Sequence, residues 1–454
     1  MPKELFGTDG IRGVPGQYPL DDATLFRTGA ALGEYLLEHR DAAKSLRVII
    51  GMDTRESGPE LASHIAQGLR VTGVEPVSAG TITTPGVAWL THSEDFSAGV
   101  MISASHNPYH DNGVKLVSAS GMKFPDAAEA QIEARILASG KDASVAAHQS
   151  RDGLPPTSAL HGDYLSALRQ KTLSGADLSQ LKIVLDCANG AASNLAPELF
   201  RSLGAEVITI CDHPDGKNIN ADCGSLYPGK MQETTVVSGA DLGVAFDGDA
   251  DRAIFSTSSG RYVDGDAVLF VTGRYMKKTR KLRGDTIVGT SMSNLGFERA
   301  LERDGLRLVR GPVGDRYVLE KMLEIEVNLG GEQSGHVIFL DDSTTGDGML
   351  TAVKMASLVS IAGKLDALLY DLKVFPQRIV NVRVRAKPPL ESLPLVEHAT
   401  REAERKLGDS GRIVVRYSGT EPLARVMVEA EREADVDLYC ASIAEALECS
   451  VGAR

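Results

Sequence analysis

Leu181-Lys182-Ile183-Val184-Leu185 is a short apolar run, followed by a helical pattern from Leu195 to Leu203, then Gly204, then the strand-like Ala205 to Ile210. Strand, helix, glycine stop and strand in that order mark a right-handed βαβ crossover in a parallel sheet. The phrase occurs twice more. Leu46 to Ile50 leads to a helical run from Pro59 to Thr72, Gly73 and the strand-like Val74 to Val77. Thr286 to Gly289 leads to Leu295 to Asp304, Gly305 and Leu306 to Val309. The copies stand too far apart for a solenoid. Three similar α/β domains is the economical reading.

After Lys373 the rhythm changes. Arg378 to Val384 alternates like a half-exposed strand, a charged helix follows from Leu395 to Lys406, and strands at Arg412 to Val415 and Arg425 to Glu429 precede a last helix at Val436 to Leu447. That pattern is α+β. Ala138 to Pro156, mixed in Gly, Ser and Asp with paired Pro, reads as a linker, and a second break is expected near Ser256 to Gly260. The expected division is therefore α/β domains over 1–150, 151–256 and 257–372, and a smaller α+β domain over 373–454.

Composition excludes several classes of function. With 43% hydrophobic and 24% charged residues, the 454-residue chain is of ordinary globular type, long enough for several cores. A net charge of -13 argues against nucleic acid or an anionic membrane as partner, so anion-handling arginines must be concentrated locally. Five cysteines without a C-x-x-C pair suit reduced thiols better than a disulfide framework. Met1-Pro2-Lys3-Glu4 begins without an apolar signal core and no apolar run approaches membrane length, so the cytoplasm is the expected location.

Four stretches carry chemistry. In Met101-Ile102-Ser103-Ala104-Ser105-His106-Asn107-Pro108, a buried strand ends and a loop begins at Ser105, with Lys115 soon after. A hydroxyl, an imidazole and an amine that close can make and stabilise a phosphoserine, although a polar loop whose Ser and Asn only cap the backbone would look the same. In Phe246-Asp247-Gly248-Asp249-Ala250-Asp251-Arg252, alternate residues of a near-extended loop would bring Asp247, Asp249 and Asp251 together. Three such carboxylates repel unless a cation joins them, and an all-oxygen set favours a hard ion such as Mg²⁺. An EF-hand fails, because Arg252 and Ser258 stand where Gly and Glu are needed. An aspartyl phosphotransferase of the haloacid-dehalogenase type remains an outsider.

Gly330-Gly331-Glu332-Gln333-Ser334-Gly335-His336 lets a ligand approach the backbone, with Glu332 and Ser334 able to bind sugar hydroxyls and His336 able to move a proton or bind a hydroxyl. Arg416-Tyr417-Ser418-Gly419-Thr420-Glu421-Pro422, with Arg425, is a candidate phosphate cradle of hydroxyls, a glycine amide and guanidiniums. A glycine-rich loop, Phe6-Gly7-Thr8-Asp9-Gly10-Ile11-Arg12-Gly13, carries one Arg suited to a phosphate contact. Gly224 to Lys230 imitates a P-loop, but Met231 replaces the Ser or Thr that would meet Mg²⁺. With no ATP motif, the phosphoryl donor must be something else.

The four stretches, in that order, resemble the α-D-phosphohexomutase family over essentially the whole chain. The resemblance implies three related α/β domains with mixed sheets and a smaller α+β C-terminal domain around a central cleft. It implies that Ser105 carries a phosphoryl group, and that one Mg²⁺ is held by that phosphate with Asp247, Asp249 and Asp251. Lys115, Arg12 and His336 are the implied proton-handling or electrostatic groups. Glu332 and Ser334 would grip the sugar, and Arg416, Ser418, Gly419, Thr420 and Arg425 would hold the phosphate that is not reacting. Asn218-Ile219-Asn220 before Cys223-Gly224-Ser225, Val313 to Val318, and Thr344-Thr345-Gly346-Asp347-Gly348 are similar to members acting on an amino sugar. The implied reaction is interconversion of glucosamine 6-phosphate and glucosamine 1-phosphate through a 1,6-bisphosphate, feeding UDP-N-acetylglucosamine and the cell wall. Mannose or glucose phosphates on the same scaffold are the alternative. The implied partner is a small hexosamine phosphate, with room for a homodimer and for an activating kinase or sugar bisphosphate.

Overall fold

The computed structural model describes residues 4–7, 9–39, 46–138, 157, 159–418 and 421–453. Apart from Ala138, the expected linker lies outside the described residues, as do Gly419 and Thr420 of the expected cradle. The chain forms two compact units, one comprising residues up to Met292 with Val309–Leu369, the other Ser293–Leu308 with Tyr370 onward.

In the first unit, strands β1 (Ile11–Gly13), β2 (Arg47–Met52), β3 (Glu75–Thr81), β4 (Ala98–Ile102) and β5 (Asn112–Ser118) form a sheet of order β1-β5-β4-β2-β3. β2 runs parallel to β3 and β4, whereas β5 is antiparallel to β4 and to β1. All five residues of β4 are buried, which is why the strand reads as an unbroken apolar run. The helix Gly58–Val71 turns Leu61, Ile65 and Leu69 inward at helical spacing to pack with Val48, Ile50 and Val100, and each such side chain contributes roughly 1.5–3 kcal/mol on burial.

The next strands repeat the plan. β6 (Lys182–Asp186), β7 (Glu206–Ile210), β8 (Leu242–Phe246), β9 (Ala253–Thr257) and β10 (Tyr262–Val263) give the order β10-β9-β8-β6-β7. Again three parallel strands end in an antiparallel one, β9 against β8. In the third copy, β11 (Thr286–Thr290) leads through the helix Leu295–Arg303 to β12 (Arg307–Gly311), followed by β13 (Leu329–Gly331) and β14 (Val337–Phe339). β11 pairs parallel with β13, and β14 turns back antiparallel. All three βαβ phrases read from the sequence are present, and the sheets are mixed as expected.

One consequence of the repeat positions the chemistry. Each sheet has one hairpin in which a parallel strand hands over to an antiparallel neighbour: β4 to β5, β8 to β9, β13 to β14. The serine loop, the aspartate loop and the Gly-Glu-Gln-Ser-Gly-His loop are these three connections.

The second unit carries β15 (Gln377–Arg383), β16 (Gly411–Tyr417) and β17 (Leu423–Ala430) in the order β15-β17-β16, all antiparallel. The helices Pro394–Leu407 and Glu433–Val451 bury Val396, Ala403, Leu407, Cys440, Ile443 and Leu447 in one core with Val426 and Val428. This is the smaller α+β portion anticipated after Lys373. No helix among the described residues is long and apolar enough to cross a membrane.

Candidate active site

Ser105 lies just beyond β4 in left-handed backbone, φ +51°, unusual for a residue with a side chain. The loop is held from several directions. The Ser105 N–H donates to Ser103 Oγ at 2.9 Å. Arg55, fully buried and paired with Asp53, donates from Nη2 to the carbonyls of Ser105 at 3.2 Å and Asn107 at 2.6 Å. The Asn220 amide donates to the same two carbonyls, at 2.9 and 3.1 Å. Gly248 admits the approach of the aspartate loop, since a Cβ there would stand 2.5 Å from the Ser105 carbonyl oxygen.

The three aspartates do come together. Ligand oxygens of Asp247, Asp249 and Asp251 lie within 4.8 Å of one another, and all three residues are buried. The loop is nevertheless a turn rather than an extended segment: the Ala250 N–H donates to the Asp247 carbonyl, and Ala250 takes φ +55°. Ser105 Oγ donates to Asp247 Oδ2 at 2.7 Å, joining the serine to the carboxylate cluster. Lys115, on β5, reaches Asp249 at 2.9 Å, Asp9 at 3.2 Å and Asp251 at 3.7 Å.

The electrostatics follow from burial and these neighbours. Burial, then Asp251 and Asp249, push the Asp247 carboxyl well above its ordinary value. Burial acts the same way on Asp249, but Lys115 and the hydrogen bond from Thr84 overcome it and hold that carboxyl down at about 2. Burial opposes the charge on Lys115, yet Asp249, Asp9 and Asp251 prevail and raise it well above the usual range. His106, 3.3 Å from Ser105 Oγ, is lowered by burial and then by Arg252 and Arg12, which favours the neutral ring.

Ser105, Arg12, Asp251, Glu332 and His336 line one cavity of about 450 Å³, together with Asp9, Arg252 and Asp315. Arg12 bonds Asp9 at 2.7 Å and keeps a buried Nε without a partner. Glu332 accepts the Gly314 N–H at 2.9 Å. Both ring nitrogens of the buried His336 lack a hydrogen-bond partner. Ser334 is exposed and is not among the residues lining the cavity.

In the second unit, Arg416 of β16 stands directly opposite Arg425 of β17. Like charges placed so repel, and an anion relieves that repulsion. Arg425 Nη2 bonds Glu421 at 2.9 Å while its Nε is buried without a partner, and Ser418 Oγ accepts the Glu421 N–H at 3.2 Å. Guanidiniums and a hydroxyl of this kind are chemically able to bind a phosphate.

Comparison with known proteins decides the family. Four family models match in order: phosphoglucomutase/phosphomannomutase alpha/beta/alpha domain I over residues 3–142, domain II over 162–260, domain III over 264–374 and the C-terminal domain over 379–446. Two full-length relatives, both named phosphoglucosamine mutase, come from Solibacter usitatus, 52% identical over all of both chains, and Koribacter versatilis, 50% identical over 99% of this chain and 98% of that one. The chain belongs to the phosphoglucomutase/phosphomannomutase family. As a family member it is a phosphohexomutase, an isomerase that moves a phosphoryl group within a sugar phosphate, as its motifs implied. A solved phosphoglucomutase/phosphomannomutase family protein from Burkholderia thailandensis shares the fold, with a TM-score of 0.79 and 24% identity, covering 98% of this chain and 97% of the other.

The aspartate cluster fits a cation by its own chemistry. Asp249 Oδ1 and Asp251 Oδ1 are buried without hydrogen-bond partners, and a hard divalent ion is the natural partner for such oxygens. Several residues that secure this arrangement gave no sequence signal of their own. Arg55 and Thr84 follow strands β2 and β3, and only their place beyond parallel-strand ends could have drawn attention. Asp9 and Asn220 lay in stretches already singled out, without a role attached.

Proposed function

We propose that the chain interconverts glucosamine 6-phosphate and glucosamine 1-phosphate in the cytoplasm, using a phosphorylated Ser105 and Mg²⁺. The observation that carries the chemistry is the hydrogen bond from Ser105 Oγ to Asp247, which sets a cavity-lining hydroxyl against a carboxylate cluster. The choice of sugar is supported by the relatives named phosphoglucosamine mutase, alike along their whole length.

In this reading the P–O bond at Ser105 breaks as a substrate hydroxyl attacks phosphorus, giving a 1,6-bisphosphate. Its other phosphate then returns to the serine oxygen. Asp247, Asp249 and Asp251 hold the cation, which when bound draws charge from the phosphoserine. Lys115 and Arg12 supply positive charge beside the serine, and His336, whose ring makes no hydrogen bond and has Nε2 3.9 Å from Asp315, is the third candidate for handling the hydroxyl proton. Glu332 binds sugar hydroxyls from the cavity wall, while Ser334, exposed and outside the cavity lining, is left without that part; Arg416, Ser418, Gly419, Thr420 and Arg425 bind a phosphate. Each domain of the division 1–150, 151–256, 257–372 and 373–454 supplies one of these motifs.

Turnover measured side by side on glucosamine, glucose and mannose 1-phosphates tests the reading. A clear preference for the amino sugar is expected. Equal or better turnover on glucose or mannose phosphate would shift the assignment to that sugar, and release of free phosphate would replace a mutase with a phosphatase.

A further inference from the structure

A second chemical cluster stands behind the serine loop, and phosphoryl transfer has no use for it. Cys211 follows β7, and Cys223 precedes the short turn Gly224–Leu226. Their sulfurs and one oxygen of Asp186, the last residue of β6, lie within 4.8 Å of one another. Lys230 Nζ stands 3.6 Å from the Cys211 sulfur. Cys211 is half-buried and reachable, Cys223 is buried, and both are free thiols.

The two thiols are unequal in a useful way. The neighbouring Cys223 thiol holds the Cys211 thiol below the ordinary value; burial and Asp186 resist this and Lys230 assists it. The Cys211 side chain beside it, and then burial, push Cys223 up. A half-buried sulfur beside a lysine ammonium, with a buried thiol close by, is the arrangement of an attacking and a resolving cysteine. A metal fits less well. Both Asp186 oxygens already accept backbone N–H groups, of Ala188 and Gly224, each at 2.9 Å. The Lys230 ammonium, 3.6 Å from the Cys211 sulfur, already sets a positive charge beside it, and three ligands fall short of the usual four.

We propose that Cys211 and Cys223 are an oxidation-sensitive dithiol that closes reversibly to a disulfide and thereby disturbs the serine loop. The Cys211 thiolate attacks one oxygen of a hydroperoxide; the O–O bond breaks and hydroxide leaves, giving a sulfenic acid. The Cys223 sulfur then attacks the Cys211 sulfur, the S–O bond breaks, and the departing hydroxide takes the Cys223 proton as water. Two electrons pass from the sulfurs to the peroxide.

The coupling lies in what the intervening segment holds. A disulfide requires about 2.05 Å between sulfurs, well inside their non-bonded contact, so closing it draws the two cysteines together and loads the segment that joins them. That segment contains Asn220, whose amide holds the carbonyls of Ser105 and Asn107. It also contains Gly216, whose carbonyl accepts the Glu56 N–H at 3.0 Å, next to Arg55 of the same loop support.

The test is hydrogen peroxide treatment of the full-length reduced protein, alkylation of remaining thiols, and peptide mapping without reductant. The expected product has lost two hydrogens, contains a cross-linked peptide joining Cys211 to Cys223, and returns to the thiols with dithiothreitol. Cys223→Ser should stop at a sulfenic acid on Cys211, a gain of one oxygen that dimedone traps. Turnover of the oxidised wild type should fall several-fold and recover on reduction, while Cys211→Ser should resist the treatment. A cross-link to Cys187, oxidation confined to Cys449, or co-purified zinc lost in Cys211→Ser would overturn the assignment. A Cys211–Cys223 bond that left turnover unchanged would overturn the coupling.

Discussion

At the scale of the residue, Ser105 combines exposure to a cavity with a backbone that a serine rarely adopts. A non-glycine residue in left-handed backbone costs of order 1–3 kcal/mol and persists only when its surroundings fix it. Arg55 and Asn220 do so through the Ser105 carbonyl, leaving the hydroxyl free to face Asp247. Ser105→Ala should therefore abolish turnover while shifting stability by only about 1 kcal/mol, the value of one hydrogen bond. Parallel kinetic and thermal measurements check this, and turnover near wild type would reject the covalent role. Asp347 offers a second residue-level expectation. It caps the helix Gly348–Ala362 through the Leu350 N–H and accepts the Tyr164 hydroxyl at 2.9 Å. Burial raises its carboxyl to about 6 from an ordinary 3.8, its hydrogen bonds opposing. With the folded value raised, the contribution to stability is full below the unfolded value and is lost as pH rises through about 6. A displacement of that size corresponds to roughly 3 kcal/mol. Asp347→Asn should gain on wild type between about pH 4 and pH 7 in denaturant titrations; a constant difference would contradict the assignment.

At the scale of the element, three hairpins in equivalent positions carry three kinds of chemistry, and their loops meet because small residues stand at the crossings. Gly248→Ala tests this directly. Its Cβ would press on the Ser105 carbonyl oxygen and, at 2.8 Å, on the Asn220 amide, neither of which can retreat cheaply. We expect roughly 1–3 kcal/mol of destabilisation, with kcat falling more than KM rises, because the carboxylates are pushed away from the serine. Unchanged kcat would show that the crossing tolerates the methyl group. The same hairpins show what was legible in the sequence. Apolar runs such as Ala98 to Ile102 and Leu242 to Phe246 announced buried strands, and the glycine stops announced crossovers, because both patterns are local. The grip on the serine loop was hidden because its donors stand 50 and 115 residues from Ser105 in the chain. The convergence of the aspartates was legible but its cause was not. A turn at Ala250 folds them together, and no local pattern separates that turn from an extended loop.

At the scale of the whole molecule, the second unit is built from two distant stretches of chain. The helix Leu295–Arg303 comes from the middle of the sequence, yet it is tied to the C-terminal strands. The Leu295 N–H donates to Glu429 at 2.9 Å, and Glu429 is fully buried on β17. The Asn294 side chain holds both backbone groups of Phe375, at 3.0 and 2.9 Å. Arg412 of β16 bonds Glu429 at 2.7 Å and the Ser293 carbonyl at 3.0 Å, so one carboxylate and one guanidinium staple the insertion to the sheet. A chain ending at Leu369 would keep that helix but lose all of these partners, leaving Leu295, Phe297 and Leu301, buried in the intact protein, without their cover. It is expected to aggregate or to melt well below the full-length protein, which light scattering during a thermal ramp would record. Glu429→Ala should weaken the same attachment in the intact chain by about 3–5 kcal/mol, the usual loss when one member of a buried ion pair is removed. If the truncated chain instead unfolded in one cooperative step at the full-length temperature, the helix would have its structural home elsewhere, and the unit could not be the two-part assembly that these hydrogen bonds describe.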